Sequence, residues 1–155
     1  ARGNMTYRWY YGKDGGSWDR EDFGASMYLQ SYDELDHMIW EGYYTLLDGE
    51  WKLVARRDEG YAAVRYEYDE NGFWIGCAYL DADENPVTYA KQGYAMQQRV
   101  YDENGQLQSK LYLDADGEPV DTKGQYAKEV WMHNQAGVVE KYNTYRAGEL
   151  SRDMS

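Results

Sequence analysis

Six aromatic side chains are the first candidates for chemistry: Trp9, Tyr11 and Trp18 near the start of the chain, then Trp40, Tyr44 and Trp51 further along. Flat rings beside carboxylates and amides suit sugar binding, because a ring stacks on the apolar face of a pyranose while polar neighbours fix its hydroxyls. The same residue types are strong strand formers, and cross-strand aromatic pairs stabilise a sheet by about 0.2–1 kcal/mol each. Packing and glycan contact both remain open readings of these rings.

The acidic stretches are the second candidates. Asp81, Asp83 and Asn85, and then Asp114, Asp116 and Glu118, set oxygen side chains at alternate positions, as the opening of a calcium loop does. The sixth positions are Pro86 and Pro119 where such a loop needs glycine, and the twelfth are Gln92 and Gln125 where it needs a bidentate Glu. Calcium is therefore an alternative to a plain solvated turn, for which Asp, Asn and Gly are the ordinary material. No other cofactor is expected.

Catalysis finds less support. Glu21 and Asp22, or Asp33, Glu34 and Asp36, are carboxylates in clusters, but nothing in the sequence sets two of them at glycosidase separation. His37 and His133 stand apart, and there is no phosphate-binding loop, nucleophile elbow or metal-binding histidine pair. The expectation is a protein that is not an enzyme.

What positions these residues is a repeat. Gly60-Tyr61-Ala62 returns as Gly93-Tyr94-Ala95 and then as Gln125-Tyr126-Ala127, at spacings of 33 and 32 residues. Tyr68-Asp69-Glu70-Asn71-Gly72 returns as Tyr101-Asp102-Glu103-Asn104-Gly105, and more loosely as His133-Asn134-Gln135-Ala136-Gly137. The stretch Tyr79 to Val87 returns as Tyr112 to Val120. A period of 33 is also that of helical ankyrin units, but runs rich in Tyr, Val, Trp and Ile around an Asn-Gly pair read as strand, tight turn, strand. The fold class is all-β: tandem antiparallel hairpins of about 33 residues in an elongated sheet or solenoid-like array. On the second strand, Trp74, Ala78 and Leu80 and then Leu107, Leu111 and Leu113 alternate onto one side, the expected core, leaving Phe73, Ile75, Cys77 and Tyr79 on a wetter side.

The array is expected over 60–150, followed by a tail at 151–155. Residues 1–59 read as a divergent repeat or cap covering the exposed edge. Within them, Arg8 to Gly15 can be laid on Arg65 to Gly72 as a degenerate first unit. Ser31 and Glu34, followed by Leu35, Met38 and Ile39, match a capping box that would open a short helix near 31–40. Tyr43 to Leu47 and Trp51 to Ala55, joined through Asp48-Gly49-Glu50, form a further hairpin.

Composition narrows the partners. Aromatics supply 17% of the residues against 43% hydrophobic in all, so much of the apolar surface is amphipathic ring, suited to half-wet sheet faces. A net charge of −12 repels phosphate backbones and anionic headgroups, which argues against nucleic acid and membrane-surface partners. No stretch is long and apolar enough to insert into a membrane as a helix. A start without methionine, inside a strand-like segment, suggests part of a larger chain or a mature form. The single Cys77 rules out an intramolecular disulfide and leaves the compartment open.

The run Tyr66-Glu67-Tyr68-Asp69-Glu70-Asn71-Gly72, with its echo at Tyr101 to Gly105, resembles the YD-type repeats of bacterial surface and secreted proteins. The resemblance covers about residues 60–150. It implies a hairpin array displayed at the cell surface or outside the cell as a spacer or adhesion module, and it brings over no catalytic residue; glycan or cell-wall recognition is the expectation that the aromatic residues add. The spacing here is longer than in ordinary YD repeats, and residues 1–59 fit poorly. Two further expectations stand beside it: an array that binds a protein partner through an acidic face or a sheet edge, and an accessory part of a carbohydrate-active enzyme.

Overall fold

The computed structural model describes residues 3–9 and 24–153, in which ten strands form one open antiparallel sheet. They are β1 (Met5–Trp9), β2 (Met27–Tyr32), β3 (Met38–Leu47), β4 (Glu50–Leu53), β5 (Ala63–Tyr68), β6 (Trp74–Leu80), β7 (Met96–Tyr101), β8 (Leu107–Leu113), β9 (Lys128–His133) and β10 (Val139–Tyr145). Apart from β4, neighbours in sequence are neighbours in the sheet. β4 shares the outer edge of β3 with β5: β5 pairs Trp40 to Gly42, and β4 pairs Tyr44 to Leu47. The all-β hairpin array holds, as a single sheet that does not close into a barrel.

One turn accounts for most of the hairpins. Between β5 and β6, Asp69 Oδ1 accepts the N–H groups of Asn71 and Phe73, both at 2.9 Å, while the Gly72 N–H donates to the Asp69 carbonyl at 3.0 Å. Gly72 sits at φ 83, and Asn71 stays out of the left-handed region. The determinant is therefore Asp with a left-handed residue three positions on, a type I turn ending in a bulge, rather than a two-residue Asn-Gly turn. The same bonds recur at Asp33, Asp81, Asp102, Asp114 and Asn134.

That turn overrules the helix expected near 31–40. Ser31 lies inside β2, and Asp33 Oδ1 accepts from Leu35 and His37 at 2.9 Å each, with Asp36 at φ 62 in the place that Gly72 holds later. An Asp that bonds the backbone two and four residues on competes with helix formation, and the flanking strands win by pairing along their length. The helix among the described residues is instead α1 (Ala147–Asp153), after the last strand.

The Gly-Tyr-Ala motif joins one hairpin to the next. The Ala62 N–H donates to Leu80 O at 2.8 Å, and its carbonyl accepts from the Tyr43 N–H at 2.9 Å, so the residue bridges two second strands. Ala95 and Ala127 do the same, and all three alanines are fully buried, which explains a side chain no larger than methyl. Ser26, after Gly24-Ala25, makes the equivalent bond to Tyr44 O at 2.9 Å. The stretch from Gly24 thus repeats the geometry of the later units without their sequence. β1 pairs with β2 as β3 pairs with β5, so Arg8 belongs to a second strand and not to the first strand on which it was laid.

Both sides of the sheet carry apolar clusters. Ala63, Ala78 and Leu80 pack with Trp40, Leu53 and Met96 on one side. The other side, expected to be wetter, holds the larger cluster of Tyr43, Tyr61, Val64 and Cys77, and Trp74 joins it rather than Ala78. A bulge on β6 at Ile75, the extra residue between the pairs Glu67–Gly76 and Tyr68–Trp74, breaks the alternation there. Val54, Val87 and Tyr89 from the connecting segments pack against this cluster and dry it. A ladder of rings runs through it: Tyr28 to Tyr43 at 5.0 Å, Tyr43 to Tyr61 at 6.4 Å, Tyr61 to Tyr79 at 5.0 Å, Tyr79 to Tyr94 at 5.8 Å and Tyr94 to Tyr112 at 4.9 Å.

At the Asp-turn end, each unit also hooks onto the one before it. The Tyr68 hydroxyl donates to Met38 O at 3.1 Å and the Tyr101 hydroxyl to Trp74 O at 2.8 Å. His133 holds the equivalent place, and its buried Nδ1 has no partner. His133→Tyr should restore the bond to the preceding strand and raise stability by about 0.5–1.5 kcal/mol. For a chain of this size that is a rise in Tm of about 2–4 °C per kcal/mol in a melting curve. A lower Tm would show that the last hairpin has no room for the phenol.

Candidate functional site

Three of the six aromatic candidates come together on the side of the sheet that carries Ala78 and Leu80. Trp40 and Tyr44 lie four residues apart on β3, so strand alternation turns both the same way. Trp51 follows on β4, reached through the tight Asp48-Gly49 turn, whose two residues sit at φ 52 and 82 as such a hairpin requires. Trp9 lies on β1, three strands from β4, in the row that runs Trp9, Met27, Tyr44, Leu53 across the ladder, and its ring meets that of Trp51 edge-on at 4.9 Å. Tyr11 and Trp18 fall outside the described residues.

Glycine lets two of these rings meet. Trp40 Nε1 donates to the Tyr44 hydroxyl at 3.1 Å, across Gly42. A Cβ at position 42 would lie 2.8 Å from Trp40 Nε1 and 3.0 Å from the Tyr44 ring. With its oxygen accepting from Trp40, Tyr44 keeps its own hydroxyl proton for a further acceptor. Burial pushes its pKa up, the Trp40 bond opposes that, and the charge of Glu84 adds to it.

The acidic turn after β6 completes the surface. Leu80 pairs with Pro86, so the turn folds back beside β4, and Ala82, Asp83 and Glu84 face the aromatic residues. Together with Leu47, Lys52 and Leu53, they and the three rings line an open, shallow concavity of about 500 Å³. The size falls within the roughly 300–1,000 Å³ of small-ligand sites, and rings with a few polar groups are the usual lining.

The remaining candidates have structural work. Asp81 and Asp114, proposed as calcium ligands, spend Oδ1 on the turn: Asp81 accepts from Asp83 and Asn85 at 2.9 Å each, and Asp114 from Asp116 at 2.9 Å and Glu118 at 3.0 Å. The alternate oxygens that resembled a calcium loop follow from this turn geometry, and among the described residues no group of three His, Cys, Asp or Glu side chains is placed to hold a metal ion. His37 is held by Asp33 Oδ2 at 3.0 Å and stacks on Tyr68 at 4.6 Å. Glu41, a carboxylate on the opposite side of the sheet, accepts from the hydroxyls of Tyr28 at 2.7 Å and Tyr66 at 2.9 Å. Burial pushes the Cys77 thiol up to about 11, which keeps it protonated and unreactive at neutral pH.

A larger concavity, about 740 Å³, lies between the hairpin tips around Asn71 and Asn104. Phe73 and Tyr101, which line it, stack on one another at 5.0 Å and join neighbouring units there. Its residues are thus accounted for by the repeat, whereas the rings around Trp51 exceed what the repeat uses: by strand register the next unit replaces Trp40 with Gly76 and Tyr44 with Leu80. Gly42, Lys52 and Glu84 are polar or positioning members of this site that sequence reasoning missed. A lone glycine inside a strand, and a Glu where the sister turn has Gly117, were the available signals.

No protein-family profile matches the chain, and no curated protein resembles it closely enough to count as a relative.

Proposed function

We propose that the protein is a non-enzymatic repeat module that binds carbohydrate through the concavity around Trp40, Tyr44 and Trp51, displayed at a bacterial cell surface as part of a YD-like array. The observation that carries this reading is the gathering of three rings, and a fourth against Trp51, beside two carboxylates and a lysine at the one unit where the repeat does not call for them. Stacked rings supply apolar contact, and the Tyr44 hydroxyl, Asp83 and Lys52 supply hydrogen bonds to sugar hydroxyls. The test is a glycan array with the wild-type chain and with Trp51→Ala. Binding in the wild type should fall by about tenfold or more in the variant, the size of effect that truncating a central aromatic contact gives. An array without hits would remove this reading.

A protein partner is the second reading, favoured by the edge strand β10. Val139 and Tyr142 on it are about half exposed, and no strand pairs with its outer edge among the described residues.

A further inference from the structure

We infer that the glycan bound at this concavity carries free amino groups, and that Glu84 is the residue that selects it; the inference rests on the carbohydrate reading above. The charges at the site are Asp83 and Glu84 on one wall and Lys52 on another, and the Lys52 Nζ is 4.0 Å from the Glu50 carboxylate, which offsets it. The local balance is therefore negative, on a chain of net charge −12. That field repels uronates and sulfated sugars and attracts a protonated amine. An ammonium lying against Trp or Tyr faces gains a cation–π attraction that a neutral acetamido group does not.

Glu84 stands out within the repeat. The two acidic turns read Asp81-Ala82-Asp83-Glu84-Asn85-Pro86 and Asp114-Ala115-Asp116-Gly117-Glu118-Pro119, so they differ at the fourth position by Glu against Gly and at the fifth by Asn against Glu: each holds three carboxylates, and only the first turn sets one at the fourth position, on the concavity. That position is left-handed in both, at φ 63 for Glu84 and 83 for Gly117, a conformation that glycine takes freely. The costlier residue occurs in the turn that borders three aromatic rings, and the glycine in the turn whose register neighbours are Gly76 and Leu80. A carboxylate at the concavity is what Glu84 adds.

The substitution Glu84→Gly separates the two roles, because it improves the turn while removing the charge. The probes are a fully deacetylated glucosamine hexasaccharide, its N-acetylated counterpart and tetralysine, titrated calorimetrically at about pH 5.5, above the ordinary carboxylate range. The deacetylated sugar should bind about tenfold tighter than the acetylated one, as a charge-assisted bond in a partly dry site allows. Glu84→Gly should bring the two sugars to near parity with a raised Tm, and Glu84→Asp should keep the preference. Equal or tighter binding of the acetylated sugar by the wild type overturns the inference and leaves the carbohydrate reading standing. Binding of neither sugar overturns the inference, and the glycan array then decides the carbohydrate reading. Tetralysine binding as tightly as the deacetylated sugar, or a preference that survives in Glu84→Gly, also overturns it.

Discussion

Tyr61→Ala should destabilise the protein by about 3–4 kcal/mol, whereas Tyr126→Ala, at the same place in the repeat, should cost less than about 1 kcal/mol. The ring of Tyr61 is 8% exposed and meets three others, Tyr43 at 6.4 Å, Tyr79 at 5.0 Å and Tyr89 at 5.2 Å. Those rings come from the unit before and from its own, so truncation opens a cavity at the junction between units. Tyr126 is 38% exposed and is approached by the Arg146 guanidinium at 4.9 Å from its ring. Repeat identity is equal at the two positions and burial is not, so the ratio of the two losses reads the contribution of the three surrounding rings. Urea unfolding of both variants measures it, and equal losses would mean that the ring cluster around Tyr61 adds nothing to what the two positions share.

The repeat was legible because turn and junction chemistry is local. Asp, a left-handed Gly and a buried Ala each satisfy backbone groups within a few residues or at one fixed neighbour, so they recur in register in the sequence. Side assignment was less legible, because a bulge removes the period-two rule at the one point where it happens: Trp74 was assigned with Ala78 and Leu80 and lies opposite them. The false helix near 31–40 has a similar origin. Ser31 and Glu34 satisfy the pattern of a capping box, and Asp33 satisfies that of an Asp turn, and the sequence alone does not weigh one against the other. The turn pattern could have been preferred had Asp36 been allowed in the glycine position, which Asn and Asp take more readily than other side chains.

The candidate site was legible as residue types and not as a place. Trp40, Tyr44 and Trp51 were chosen for ring chemistry, and the acidic turn for calcium, as two separate ideas. Only the pairing of Leu80 with Pro86 brings the turn around Asp83 to the rings. That contact spans more than 30 residues of chain, and no local rule predicts it. The same pairing changes what the turn is for: with Asp81 bound to its own backbone, the outward carboxylates are Asp83 and Glu84, and their neighbours are aromatic.

Gly105→Ala should cost about 2–3 kcal/mol and Gly117→Ala about 1–2 kcal/mol, from left-handed strain in both and a lost ring pair in the first alone. The two glycines hold the same turn position, at φ 77 and 83. A Cβ at 117 meets nothing within 4 Å, so its penalty is conformational. A Cβ at 105 would lie 2.7 Å from Phe73 Cζ, closer than the two carbons tolerate, and Phe73 must swing off Tyr101, on which it stacks at 5.0 Å. The excess is thus a contact between one hairpin tip and the next, and it should vanish when the ring is absent. In a Phe73→Ala background, Gly105→Ala should cost no more than Gly117→Ala does in the wild type, a coupling of about 0.5–1.5 kcal/mol in a double-mutant cycle. A cycle with no coupling would place the whole penalty in the turn and leave the ring stack without a part in holding neighbouring units together.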